Sequence, residues 1–189
     1  MDLALVTTNE GKFREARELL APFGVRLRWR RRALPEPQAD TLEEVARAKL
    51  AVLGDVGGDL LVEDSGLLIP SLGGFPGVYS AYIYRIWGLA PLLELTRRRS
   101  PEAVFRCVVG VRVGGRTRLF VGECPGRISR SLRGSHGFGF DPIFRPEDER
   151  RTFGEMTRAE KGRYSHRGRA FRAFGRWAAR APLNPRART

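Results

Sequence analysis

The sequence feature that most constrains the fold is a pair of long strand-like segments in the second half of the chain. The residues of Val104–Val113 and Arg116–Glu123 are rich in β-branched and apolar types, and only Gly114-Gly115 separates the two segments. A two-residue glycine connection of this kind is typical of a tight β-hairpin, because glycine readily adopts the positive φ angles of the turn. The sequence therefore predicts a long antiparallel ribbon.

The rest of the chain alternates between strand-like and helical patterns. Apolar runs predict strands, and apolar residues at helical spacing behind polar caps predict helices. The predicted strands are Leu3–Val6, Val25–Trp29, Leu60–Glu63 (broken by Asp64-Ser65-Gly66) and an edge strand at Gly126–Ser129, and the predicted helices are Lys12–Leu20, Thr41–Leu53, Leu89–Arg98, a short one capped by Thr157 and one from about Arg167. These elements predict an α/β fold in which helices flank a long, twisted, mixed β-sheet.

The 189 residues fit a single domain, 1–189, with an arginine-rich tail from about residue 182 that is expected to fray. No stretch approaches the roughly 20 consecutive apolar residues of a membrane span, and the chain enters a strand directly after Met1. We therefore expect a cytoplasmic protein that does not insert into a membrane. The two cysteines, Cys107 and Cys124, are too few for a zinc site and are expected to be buried free thiols.

The net charge of +13 indicates an anionic partner without saying which one. Arginine supplies nearly all of the positive charge, and the only lysines are Lys12, Lys49 and Lys161. A lysine ammonium is a compact point charge, which suits a position beside phosphate oxygens. A nucleic-acid-binding module is the alternative class. The basic residues are scattered through the chain, which predicts salt-sensitive, non-specific binding and no specific nucleic acid partner.

Five short segments carry residues suited to chemistry. The first leads from the opening strand into a helix N-terminus, where free N–H groups favour anions, and it consists of Thr7, Thr8, Asn9, Glu10, Gly11 and Lys12. It is not a Walker A loop, because Phe13 stands where that motif requires serine or threonine. Phosphate binding and a simple capped helix with a solvated lysine are both consistent with this segment.

The second and third segments are acidic. Glu44 completes a capping box with Thr41, so the residues alone favour a structural role for it. Glu63 and Asp64 are adjacent carboxylates at the end of an apolar strand, where alternation directs them to opposite faces. A hard cation such as Mg²⁺ uses one or two such carboxylates together with substrate phosphates. Stabilisation of a turn by Asp64 explains the pattern equally well.

The fourth and fifth segments are suited to a planar base. The fourth alternates glycine with aromatic side chains over Phe138, Gly139, Phe140 and Asp141, which favours either a stacking platform or a tight hairpin with core phenylalanines. The fifth brings Lys161, His166 and Arg167 close to a helix start, where they could donate to a base carbonyl or to phosphate. A structural histidine is the alternative for His166.

Taken together and in this order, the segments resemble the inosine triphosphate pyrophosphatase family. The resemblance covers most of the chain, from Thr7 to Arg167. It includes the Thr-x-Asn-x-x-Lys opening, the helix that carries Glu44, Asp64-Ser65-Gly66, Gly73-Gly74-Phe75-Pro76-Gly77, Phe138–Pro142 and Ser165-His166-Arg167. The family hydrolyses damaged purine nucleoside triphosphates (ITP, dITP and XTP) to the monophosphate and pyrophosphate, which cleanses the nucleotide pool.

The resemblance implies a two-lobed fold with a central nucleotide-binding cleft, Mg²⁺ as cofactor and a homodimer. Residues Thr7–Lys12 would hold the triphosphate, and Glu44 would be a magnesium ligand, against its structural interpretation above. Asp64 would bind the metal or act as general base, with Ser65 near the substrate. Phe138–Asp141 would form the base platform, and Lys161, His166 and Arg167 would close over a 6-keto purine.

Two positions depart from the family pattern. Glu63 stands where the family often has aspartate, which leaves its role towards metal open, and Val45 replaces a frequent asparagine after Glu44. A Maf-like nucleotide pyrophosphatase with another base preference is the alternative within enzymes. Ser165-His166-Arg167 favours the purine enzyme.

Overall fold

The computed structural model describes residues 1–54 and 58–180. Strands and helices alternate in the first half of the chain, and the long hairpin follows. The six strands are β1 (Asp2–Val6), β2 (Arg26–Arg30), β3 (Leu60–Leu68), β4 (Glu102–Val113), β5 (Arg116–Ile128) and β6 (Phe144–Pro146). The six α-helices of the described ranges are α1 (Glu10–Leu20), α2 (Leu42–Val52), α3 (Ser80–Trp87), α4 (Ala90–Thr96), α5 (Arg158–Tyr164) and α6 (His166–Arg180).

The strands form one mixed sheet in the order β2-β1-β3-β4-β5-β6. Strand β1 pairs in parallel with both β2 and β3, whereas the pairs from β3 to β6 are antiparallel. The hairpin β4–β5 is in register from Val113↔Arg116 to Glu102↔Arg127, which confirms the glycine turn at 114–115. The α/β fold with a mixed sheet and flanking helices is thus confirmed.

Alternation along the strands gives the sheet two buried faces. Helices α1 and α6 cover one face, where the core contains Leu3, Leu5, Phe13, Leu20, Leu61, Phe171 and Phe174. Helix α2 covers the other face with Val6, Leu42, Ala46, Leu50, Leu60, Val62 and Val108. Because side chains alternate, neighbours such as Leu60 and Leu61 belong to different faces.

Strand lengths differ in the middle of the sheet, and this difference prepares the site. Strand β1 pairs with β3 only at Ala4↔Leu60 and Leu5↔Leu61 and ends at Val6, whereas β3 continues to Leu68. From residue 63 onward, β3 is therefore paired with β4 on one side. Its other edge meets Lys12 at the Glu63 carbonyl and residues Pro76 and Gly77 near the end of the strand. Along this part of β3, the side chains of Glu63 and Asp64 point to opposite faces of the sheet.

Two expectations about local structure were wrong, and two elements were not predicted. Asp64-Ser65-Gly66 does not break the strand, because these residues pair with β4 at Asp64↔Val108, Ser65↔Cys107 and Gly66↔Arg106. Gly126–Ser129 is no separate strand, since β5 extends through it to Ile128. Helix α3 was not predicted, and neither was β6, which forms the end of the predicted glycine-aromatic loop over 134–146.

Several other expectations are confirmed or stay open. Cys107 and Cys124 are buried free thiols. The predicted arginine-rich tail lies outside the described residues, and the two-lobed cleft stays a prediction. No helix within the described ranges is long and apolar enough to cross a membrane.

Candidate active site

The loop between β1 and α1 is held in place by its own polar groups. Asn9 caps α1, because its side-chain oxygen accepts a hydrogen bond from the Lys12 amide at 3.0 Å. The Thr7 hydroxyl accepts from the Asn9 amide at 3.1 Å, and Trp29 Nε1 donates to the Thr7 carbonyl at 2.8 Å. These bonds fix the helix N-terminus beside the open edge of β3, where Lys12 Nζ donates to the Glu63 carbonyl at 3.2 Å.

Asp64 lies on the α2 face of the sheet beside a lysine. Lys49 Nζ donates to Asp64 Oδ1 at 2.5 Å and to Glu36 Oε1 at 3.1 Å, so one ammonium joins two carboxylates. Burial raises the pKa of Asp64, although the nearby charges of Lys12 and Lys49 oppose the rise. The second oxygen, Oδ2, is buried and accepts no hydrogen bond from the described residues. A carboxylate with a free buried oxygen is suited to bind a cation or to accept a proton.

Glu63 points to the opposite face of the sheet, towards α1 and α6. Its carboxylate lies 3.0 Å from Lys12 Nζ and accepts from Arg167 Nη2 at 3.2 Å and from the Cys107 thiol at 3.2 Å. Burial disfavours the charged form of Glu63. The cations Arg167 and Lys12 outweigh that penalty and hold its pKa well below the usual range. Glu63 is therefore an ionised carboxylate inside the protein.

A chain of alternating charges continues from Glu63 across the site. Arg167 Nη1 donates to Glu15 Oε2 at 2.7 Å, and Lys161 Nζ donates to the other oxygen of Glu15 at 2.8 Å. Lys161 also donates to Asp141 Oδ2 at 2.7 Å. Three cations thus alternate with three carboxylates over residues on α1, β3, α5, α6 and the glycine-aromatic loop. Buried charges persist only when they are paired in this way.

The aromatic loop closes over these cations. Asp141 Oδ2 accepts from the Phe138 amide at 2.8 Å, which ties the loop to Lys161. The Phe138 ring is half-buried and lies 4.8 Å from Lys161 Nζ and 5.2 Å from the guanidinium carbon of Arg167, both measured to its centroid. Phe140 instead is buried and meets the edge of Tyr84. Of the two phenylalanines, Phe138 is therefore the one available for stacking.

His166 begins α6 and is almost completely buried. Its ring stacks on Phe105 with a centroid distance of 4.4 Å and an interplanar angle of 10°. Burial, together with the charges of Arg167 and Lys161, holds the pKa of His166 well below its usual value, so the ring is neutral. Its Nδ1 atom has no hydrogen-bond partner within residues 1–54 and 58–180. Next to it, Arg167 Nη2 donates to the Ser65 hydroxyl at 2.8 Å.

Most of these groups surround one cavity of about 300 Å³. Its lining includes Asn9, Lys12, Ser65, Phe138, Gly139, Phe140, Asp141, His166 and Arg167. The cavity therefore brings together residues from the first, third, fourth and fifth segments, whereas the predicted residues Thr7, Asp64 and Lys161 are not part of its lining. Gly11 lies behind Phe138, so close that a β-carbon at this position would be 2.8 Å from the Phe138 ring.

The remaining predicted residues lie elsewhere. Glu10 pairs with Arg14 on the surface of α1, and Thr8 is exposed. Glu44 caps α2 by accepting from the Thr41 and Asp40 amides at 3.1 Å each, and these bonds lower its pKa. Its Oε2 atom is thereby committed to the capping box that the sequence predicts.

Three residues of this network were absent from the predicted site: Glu15, Glu36 and Lys49. Lys49 is one of only three lysines, and all three donate to carbonyl or carboxylate groups around the cavity or Asp64, so the lysine count was a usable signal. Glu36 stands between two prolines, and Glu15 is an acidic residue inside a helix. Neither position carries a pattern that distinguishes it from a surface glutamate.

The fold and the site together define an α/β protein that holds buried cations around a cavity suited to an anionic ligand with a planar ring. The family model of the Ham1 family matches residues 3–177. The chain belongs to the Ham1 family.

Relatives and solved structures agree with this assignment. The dITP/XTP pyrophosphatase of Thermococcus kodakarensis is 48% identical over 94% of this chain and 97% of the relative. The protein of the same name from Pyrococcus horikoshii is 45% identical over 94% and 96%. The solved structure of a HAM1 protein from Coxiella burnetii superposes with a TM-score of 0.83 at 26% identity, covering 96% of this chain and all of that one.

Proposed function

We propose that this protein hydrolyses the purine nucleoside triphosphates ITP, dITP and XTP to the monophosphate and pyrophosphate, and so removes damaged purine nucleotides from the nucleotide pool. The observation that carries the proposal is the chain of alternating charges, which joins Lys12 at a helix N-terminus to Arg167 and Lys161 beside an aromatic ring. The end of the cavity near Lys12 is suited to phosphate, and the end near Phe138 and Arg167 is suited to a base. The names of the relatives support the same reaction.

The roles follow from the position of each group. The loop Thr7–Lys12 and the N-terminus of α1 bind the triphosphate, with Lys12 as the fixed positive charge. Asp64 is the general base, which accepts a proton from water as the water attacks the anhydride linkage between the monophosphate and the leaving pyrophosphate. The pyrophosphate departs with its charge stabilised by Lys12 and Lys49. Burial raises the pKa of Asp64, and a raised pKa makes this carboxylate a better proton acceptor.

A divalent cation, Mg²⁺ in our proposal, fits beside Asp64. The described residues contain no group of three or more His, Cys, Asp or Glu side chains placed to hold a metal. Asp64 nevertheless has a free buried oxygen, and Glu36 shares Lys49 with it. Two carboxylates plus substrate phosphates are a common magnesium environment. When bound, the cation neutralises phosphate charge and polarises the scissile bond. We propose Glu36 as the second ligand because it shares Lys49 with Asp64, whereas Oε2 of the predicted ligand Glu44 accepts from the Thr41 and Asp40 amides.

Selection of the base rests on hydrogen-bond donors. Phe138 provides the ring on which the purine stacks, while Lys161, His166 and Arg167 face its edge. These donors form hydrogen bonds with the 6-keto oxygen of hypoxanthine and xanthine. The 6-amino group of adenine is itself a donor and cannot pair with them, so hypoxanthine and xanthine bind better than adenine. GTP also has a 6-keto group. Its discrimination therefore depends on the purine 2-position, which carries hydrogen in hypoxanthine, oxygen in xanthine and an amino group in guanine.

We further propose that the protein is a cytoplasmic homodimer built from single 1–189 domains. Helices α3 and α4 carry large exposed apolar side chains, which include Tyr82, Ile86, Trp87 and Leu95. Large apolar side chains exposed on two helices that contact each other are typical of a protein–protein interface. A second copy of the chain would cover it.

The first test is hydrolysis by the purified protein of ITP, XTP, GTP and ATP, each with and without Mg²⁺. We expect magnesium-dependent release of pyrophosphate from ITP and XTP, well above GTP and ATP. Asp64→Asn should lower turnover by orders of magnitude with an unchanged circular dichroism spectrum. Near-normal activity of that variant contradicts the assignment of Asp64 as base.

The products separate the competing functions. Pyrophosphate from other nucleotides favours a Maf-like specificity, and orthophosphate means that a different bond is cut. A folded protein without turnover favours the nucleic-acid-binding alternative. Alanine substitution of Ser165, His166 and Arg167 together should abolish the preference for ITP, and a variant that keeps this preference contradicts the assigned base site.

A further inference from the structure

Glu63 is a buried carboxylate shared by two cations that serve different ends of the cavity. Lys12, on the triphosphate side, lies 3.0 Å from one oxygen of Glu63, and Arg167, on the base side, donates to the other oxygen at 3.2 Å. The Glu63 side chain is about 1% exposed, so solvent does not compete for these contacts. The two oxygens of one rigid strand residue thus determine the separation of Lys12 from Arg167.

The position of Glu63 argues against a direct role at the metal. Alternation along β3 directs Asp64 to the α2 face, where Lys49 and Glu36 lie, and Glu63 to the α6 face. Glu63 also does not line the cavity of about 300 Å³, whereas both of its cationic partners do. Its influence on the substrate is therefore exerted through Lys12 and Arg167.

We propose that Glu63 is a positioning residue that holds Lys12 and Arg167 in register, and thereby couples recognition of the base to alignment of the triphosphate. This inference rests on the proposed function. A base that engages Arg167 is bound by a guanidinium whose place depends on Glu63, and the same carboxylate places the ammonium that holds the phosphates. A substrate that fits at one end is thus aligned at the other.

The proposal predicts a particular split of the kinetic constants. Removing the charge of Glu63 leaves Lys12 and Arg167 without a shared counter-charge, so the cavity becomes more positive and the KM for a triphosphate should not rise. The two cations are no longer held in register, however, and a displacement of about 1 Å at a reacting group costs up to ~100-fold in turnover. Glu63→Gln should therefore lower kcat for ITP by about 10- to 100-fold and reduce the preference for ITP over GTP by about tenfold.

Two further variants separate positioning from charge and from packing. Glu63→Asp keeps the charge and introduces the residue that the family often has here, but against this chain's Lys12 and Arg167 the shorter side chain cannot reach both partners from the same backbone position. Cys107→Ala is the matched control, because the Cys107 thiol donates to the same Glu63 oxygen at 3.2 Å and Cys107 does not line the cavity. We expect Glu63→Asp to lose the ITP preference and Cys107→Ala to retain it.

The experiment is a steady-state comparison of ITP and GTP with magnesium for the unchanged protein and the three variants, with thermal melting as the check on folding. Full activity of Glu63→Gln, or an equal loss on both substrates with their ratio preserved, overturns the proposal. Restoration of both constants by Glu63→Asp also overturns it, since charge alone would then suffice. If Glu63→Gln does not fold, the ITP:GTP ratio of Glu63→Asp decides. Absence of ITP hydrolysis by the unchanged protein refutes the proposed function instead.

Discussion

Gly122 allows helix α6 to lie directly on the sheet, and a single methyl group at this position should disturb the site. Gly122 is in β5, under the first turns of α6. A β-carbon there would be 2.2 Å from the His166 carbonyl oxygen and 2.4 Å from the Ala170 amide nitrogen. Both are backbone atoms, so no side-chain rotation relieves the overlap. Non-bonded atoms prefer separations of about 3.5 Å, so Gly122→Ala requires α6 to move by roughly 1 Å.

The expected magnitude follows from this displacement. Overpacking of a well-packed core costs about 1–3 kcal/mol, and for a domain of this size each kcal/mol lowers Tm by about 2–4 °C. Because α6 begins with His166 and Arg167, the same shift moves base-facing donors. We expect kcat/KM for ITP to fall by about 10- to 100-fold. The small fraction of Gly122→Ala that is unfolded at the assay temperature cannot account for a loss of this size.

The assay combines thermal melting with steady-state hydrolysis of ITP, and Gly162→Ala is the matched control. A β-carbon at Gly162, in α5, meets only the Leu19 side chain at 3.4 Å, an ordinary contact. Replacing glycine by alanine in a helix gains up to about 1 kcal/mol, so this variant should be as stable as the unchanged protein or more so. Unchanged Tm and unchanged turnover in Gly122→Ala would refute the argument that α6 lies on Gly122.

The remaining predictions concern the metal ligand and the dimer. Glu36→Ala should raise the Mg²⁺ concentration needed for half-maximal hydrolysis by about tenfold or more, which is the typical cost of disturbing a metal's surroundings. Glu44→Ala should instead lower the free energy of unfolding by about 0.5–2 kcal/mol, because the capping box is lost, and it should leave the metal requirement unchanged. The reverse pattern in a magnesium titration would restore Glu44 as the ligand. For the dimer, the unchanged protein should sediment as two chains and Trp87→Glu as one, because a charge would be buried in the apolar interface. A monomeric unchanged protein refutes the dimer.

The regular elements of the fold were largely readable from the sequence. The hairpin around Gly114-Gly115 and the helix capped by Thr157 depend on short-range rules of glycine turns and capping boxes, and the structure has both. The local rules failed at Asp64-Ser65-Gly66. Their polar character predicts a turn, yet pairing with β4 supplies nine consecutive register partners to β3 and keeps the strand extended.

Tertiary structure decided which polar residues became neighbours. The sequence alone indicated an anion-binding loop, a pair of carboxylates, an aromatic loop and a cluster of donors, because each of these is local in the chain. It could not indicate that Glu15 lies between Lys161 and Arg167, or that Lys49 joins Glu36 to Asp64, since a glutamate in an amphipathic helix is ordinarily a surface residue.

The physical reason is the range of the interactions. Caps, turns and alternation act over two to four residues and are written in the order of the side chains. The contact of Arg167 with Glu15 spans 152 residues, and its contact with Glu63 spans 104. Such pairs form only because the sheet order brings β1, β3 and α6 together and because buried charges must find partners. The sequence determined the elements and the types of chemistry, and the packing of the sheet and helices determined which charges neutralise one another.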